Sequence, residues 1–149
     1  MMQEYVDRVI KMTQRFPKCT TEQALCYSVE HVVEGLLPTQ ALTFDQAVDL
    51  VDDISLDEDI DTPVVERIRS DAKFAGVASH QHHVIGLKSQ TNRLIVCHEM
   101  AHVLAGFGHD DLWRGKFVRL VRAHVSVQHA SLLHTLYQRV GLPTEAWSA

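Results

Sequence analysis

The chain reads as an α+β domain. Helical periodicity fills roughly the first sixty residues, a stretch rich in β-branched residues and small breakers follows over 64–88, and helical patterning returns from Thr91 onward. Residues 2–16 place Tyr5, Val6, Val9, Ile10, Met12 and Phe16 on a loose helical stripe that stops at Pro17. Thr20 with Gln23 is a capping-box pattern, in which a threonine side chain and a glutamine side chain satisfy each other's backbone N–H groups. It opens a helix ending around Gly35 and Pro38. Thr43 with Gln46 repeats the pattern and opens a short helix through Ile54.

The acidic run that follows (Asp52, Asp53, Asp57, Glu58, Asp59, Asp61), closed by Pro63, lacks the alternating ligands, central glycine and terminal glutamate of a calcium loop. It reads as a solvated loop. VVERIRS (64–70), KFAGVAS (73–79) and HHVIGLK (82–88) read as three strands joined by tight turns. From Thr91 to Ala105 the residues are apolar on nearly every side, as in a buried helix, and Gly106 and Gly108 end it. Two more helices are predicted over 111–126 and 128–140, the last stopped by Gly141 and Pro143. A single domain over 1–149 is expected, with a helical part (1–62) followed by sheet, buried helix and C-terminal helices (63–149).

Composition narrows the function. A net charge of -5 argues against a protein that coats nucleic acid by bulk positive charge. No apolar run approaches the roughly eighteen residues of a membrane helix. The opening MMQEYVDRVIKMTQRF has no signal-peptide core. Three cysteines (Cys19, Cys26, Cys97) are too few for a disulfide framework or a four-cysteine zinc ribbon, so a reducing, cytoplasmic setting is expected. Histidine stands out, with ten residues among 149, and points to metal.

His98-Glu99-Met100-Ala101-His102 matches the HExxH pattern inside the predicted buried helix. A spacing of four sets the two imidazoles about 40° apart on one face, one turn above each other. Two neutral ring nitrogens so placed bind one Zn²⁺ at about 2.0–2.1 Å each. Glu99 is angled away from direct ligation but reaches a water on the metal, the place of a general base. A satisfied structural cluster is the plain alternative, although three polar groups on an apolar helix are costly unless paired or metal-bound.

Catalytic zinc needs a third protein ligand. Downstream of the motif the only glutamate is Glu145, in an unpromising PTEAW context. His109 lies seven residues after His102, just past two glycines where the chain can turn back, and is the expected third ligand; Asp110 and Asp111 are the alternatives. Metzincins place their third histidine six residues on, so the likeness to that class is superficial.

The stretch Ile85–Leu142 resembles the SprT-like group of zincin metallopeptidases, above all its short bacterial and phage metallohydrolases. Ile85-Gly86-Leu87 stands for the strand's I-x-L element, HEMAH for the helix motif, and HDDLWRGKFVRLV for the third-histidine turn and following helix. His109, Trp113, Arg114, Leu120, Val121 and Val140-Gly141-Leu142 occupy the matching positions, while Asp110 and Asp111 replace a Gly-Pro. The resemblance implies a zincin-like fold, zinc as cofactor, and hydrolysis of peptide bonds in a protein or peptide substrate. It also implies that the strand before the active helix is a sheet edge along which substrate lies. Here that strand is His82–Leu87, and His83, Val84 and Ile85 are the expected substrate-binding residues.

Other features have plainer readings. His80, His82 and His83 are expected to line the groove or sit at an exposed turn rather than hold a second metal. Cys97 points about 100° from His98 and reads as a core thiol. Arg114, Lys116, Arg119, Arg122 and His124 read as a solvated basic face. His124, His129, His134 and Tyr137 are candidates for an oxyanion donor, with nothing to choose among them. The rival to a peptidase is a non-catalytic zinc-stabilised binding module, its site closed by Asp110 or Asp111.

Overall fold

The computed structural model describes residues 2–144, which form six α-helices, a three-residue 3₁₀ turn and five short strands. The class is α+β. The chain is α1 (Met2–Met12), α2 (Thr21–Leu36), β1 (Ala41–Thr43), α3 (Phe44–Asp57), β2 (Val64–Arg67), β3 (Gly76–Ser79), β4 (Val84–Leu87), β5 (Gln90–Asn92), α4 (Arg93–Ala105), α5 (Asp111–His124) and α6 (Val127–Arg139). It passes between two compact units at 38/39 and 107/108, so the first and last helices belong together.

The helical unit is built from α1, α2, α5 and α6. Both bonds of the Thr20–Gln23 capping box open α2. Its core joins Val9 of α1, Cys26, Val29 and Val33 of α2, Trp113, Phe117 and Val121 of α5, and Leu133, Leu136 and Tyr137 of α6, all fully buried. Trp113 and Phe117, one turn apart on α5, stack at 5.0 Å between centroids. His129 of α6 is tied down at both nitrogens: Nδ1 meets the Ser126 hydroxyl, and Nε2 donates to the Leu37 carbonyl at 2.7 Å.

The second unit holds both sheets, α3 and α4. The Thr43–Gln46 capping box opens α3 as its spacing predicts. This helix runs past Ile54 to Asp57, so Asp52, Asp53 and Asp57 sit on its exposed face and only the rest of the acidic run is loop. Exposed helix positions solvate carboxylates at little cost, which is why charge density alone misplaced the boundary. β1 and β5 pair antiparallel, Leu42 opposite Thr91, taking Thr91 and Asn92 into a strand just before α4.

The other sheet has the order β2-β4-β3, with β2 parallel and β3 antiparallel to β4. β4 is therefore the central strand. The expectation that His82–Leu87 forms a sheet edge is not met, because its main chain is already committed to a ladder on each side. Ile85 and Leu87 are fully buried, as befits a central strand. No helix among the described residues is long and apolar enough to cross a membrane.

Candidate metal centre

α4 is positioned from both ends. Asn92 caps its N-terminus by accepting from the Ile95 N–H at 2.9 Å. At the other end Gly106 adopts φ 93°, a conformation that disfavours any side chain, and its N–H donates to the His102 carbonyl at 2.8 Å. Nine of the residues between are buried, including His98, Glu99 and His102 at 6–8% exposure. No residue of α4 is fully exposed, so its polar groups have little water to hydrate them.

The two motif imidazoles converge. His98 Nε2 and His102 Nε2 lie 3.2 Å apart. Two nitrogens that each sit about 2.0–2.1 Å from one tetrahedral ion stand about 3.3–3.4 Å apart, so this separation suits a shared cation. His102 Nδ1 donates to the Gly106 carbonyl at 3.0 Å, which leaves the Nε2 of the neutral ring with a lone pair to offer. Gly106 thus caps the helix and orients its second histidine.

His109 completes the cluster. Ligand atoms of His98, His102 and His109 all lie within 4.8 Å of one another. These are the three residues the sequence singles out, and they form the one metal-competent group found among the described residues. The donor set is three imidazoles and fits zinc, copper, iron or nickel better than calcium or magnesium.

The aspartates that competed with His109 are occupied otherwise. Asp110 is the N-cap of α5, its carboxylate accepting from the Trp113 N–H at 3.0 Å, and Asp111 accepts from the Leu112 N–H at 3.0 Å. Asp110→Ala is accordingly expected to cost about 1 kcal/mol of stability, the worth of a lost cap, while metal per chain stays at the wild-type value. Thermal unfolding and elemental analysis on the same sample check both halves. Glu145 lies outside the described residues.

Glu99 packs against the sheet. A Cβ built on Gly76 of β3 would come within 2.9 Å of Glu99 Oε2 and 3.0 Å of its Cγ, so a side chain at this position would force the glutamate to shift. β3 has one strand partner, β4, and is the sheet edge that approaches α4. Sequence patterning missed this relation, although a lone glycine inside a strand pattern signals a close approach.

The remaining candidates scatter. His83 donates through Nε2 to the Asp61 carbonyl and His80 through Nδ1 to the Val103 carbonyl, so both rings have structural partners. Val84 is half-buried and Ile85 wholly so, on the central strand rather than at an edge. Burial pushes the Cys97 thiol up to about 12, which keeps it protonated and fits a core thiol. Burial likewise raises the Tyr137 hydroxyl. Arg114 departs from the solvated-face expectation: it is 4% exposed, whereas Arg119 and Arg122 of the same helix are exposed. Compared with known proteins, the chain matches no family model, no curated protein and no solved structure.

Proposed function

We propose that this chain is a zinc-dependent metallohydrolase that cleaves peptide bonds, with His98, His102 and His109 as ligands and Glu99 as general base. The observation that carries this reading is the convergence of the three ligand sets within 4.8 Å, with a buried glutamate adjoining the first histidine on the same helix. His98, His102 and His109 would hold the ion, and zinc bound there would supply Lewis acidity to a substrate carbonyl and to the attacking water. The Glu99 carboxylate accepts the proton from the attacking water and returns it to the leaving amine. Asp110 and Asp111 are engaged in backbone hydrogen bonds, which supports a donor set of three histidines without a carboxylate. A closed structural site would have no use for Glu99.

The substrate strand moves with the topology. β3, whose Gly76 adjoins Glu99, replaces His82–Leu87 as the edge along which an extended peptide would pair. An unfolded polypeptide is thus the substrate to test. Zinc-loaded protein incubated with reduced, alkylated polypeptides is expected to generate new N-termini, detected by mass spectrometry. Cleavage should stop on chelation and return with zinc. A fully zinc-loaded sample that cleaves none of a varied panel contradicts the proposal.

A further inference from the structure

We propose that Arg114 is a positioning residue for the third metal ligand, holding the His109 main chain so that its ring meets those of His98 and His102. The inference rests on the reading of the three histidines as ligands, but not on peptidase activity.

His109 is held chiefly by its surroundings. Its carbonyl accepts from Arg114 Nη1 at 2.6 Å and from the weak Cys26 Sγ–H donor at 3.7 Å. Its ring meets Tyr27 edge-on at 5.0 Å and Trp113 at 4.6 Å. The aromatic contacts confine the ring, while the guanidinium fixes the backbone that carries it. A carbonyl on a residue only 5% exposed must find donors within the protein, and Arg114 supplies the strong one.

Arg114 is itself anchored at two other points. The same Nη1 lies 3.2 Å from Glu22 Oε2 of α2, and Nη2 donates to the Pro143 carbonyl at 3.3 Å. A buried cation is costly unless paired and fully hydrogen-bonded, and an apolar residue of similar volume would fill the space more cheaply. What the apolar residue cannot do is tie α2, the chain after α6 and the His109 carbonyl to one planar group. Lysine cannot do it either, because its single ammonium lacks the rigid fork.

The test is zinc affinity by chelator competition on the full chain, with Co²⁺ absorption spectra as a record of coordination geometry. Arg114→Met and Arg114→Lys are compared with wild type. Arg114→Met is expected to bind zinc about 10–100-fold more weakly, the range typical of lost outer-shell partners, with an altered Co²⁺ spectrum. Arg114→Lys, which keeps the charge, should fall between; it decides the matter alone should the methionine variant fail to fold. A merely structural role would lower the melting temperature of the metal-free protein and leave affinity and spectrum alone. That result in the folded variants overturns the inference without touching the metal site. A wild-type chain that binds neither metal overturns both.

Discussion

Glu99→Gln is expected to keep its zinc and lose peptide hydrolysis by about 10²–10⁴-fold, the usual contribution of a positioned general base. The substitution preserves shape, which matters where Glu99 is 6% exposed and packed on Gly76 of β3. It removes only the ability of the side chain to take a proton. The metal ligands are untouched, so elemental analysis should give the wild-type zinc content. The loss should fall on kcat, with KM little changed, because the proton is moved in the transition state and not on binding. A zinc-loaded variant with wild-type turnover would remove Glu99 from the mechanism.

Zinc should also be a large part of the protein's thermal stability. The three rings are buried at 5–8% exposure, and their convergence exists only in the folded chain, so a cation they share binds the folded state alone. A ligand that binds only the folded chain, at a free concentration about a thousandfold above its Kd, stabilises it by about 4 kcal/mol. For a chain of this size each kcal/mol shifts the melting temperature by about 2–4 °C, so zinc should raise it by about 8–16 °C over the chelated protein. His102→Ala, which removes the ring anchored by the Gly106 carbonyl, should abolish most of that increment. A melting temperature indifferent to zinc in the wild type would contradict the proposed site.

The local grammar of the chain proved readable where one or two neighbouring residues decide the structure. Thr20 with Gln23 and Thr43 with Gln46 announce two helix starts, and both reciprocal hydrogen bonds form. The buried character of α4 follows from its apolar surround, and the spacing of His98, His102 and His109 picks out the residues that cluster. Pairings between distant segments were less readable. β1 and β5 are three residues each, too short for a readable pattern, so nothing local marks Leu42 as the partner of Thr91. The parallel pairing of β2 with β4 joins segments separated by β3, and that long-range choice makes β4 central. With it went the expected edge role of His83, Val84 and Ile85.

Arg114 teaches the same lesson for charge. On α5 it stands in a basic run with Lys116, Arg119 and Arg122, and a run of that kind usually marks a solvated face. Its burial depends on Glu22, 92 positions away in sequence, and on Pro143 beyond the last helix. Neither partner can be assigned from local pattern. The overlap of α3 with the acidic run has a more local cause: Ile54 and Ser55 are buried, so the helix continues to cover the core while its aspartates face water.

Zinc per chain, measured by elemental analysis on tag-free wild type and His109→Ala after reconstitution, tests the central claim most directly. The three-histidine site predicts about one zinc in the wild type and a large loss in the variant. A metal-free wild type, or a His109→Ala chain that retains its full zinc, would contradict it.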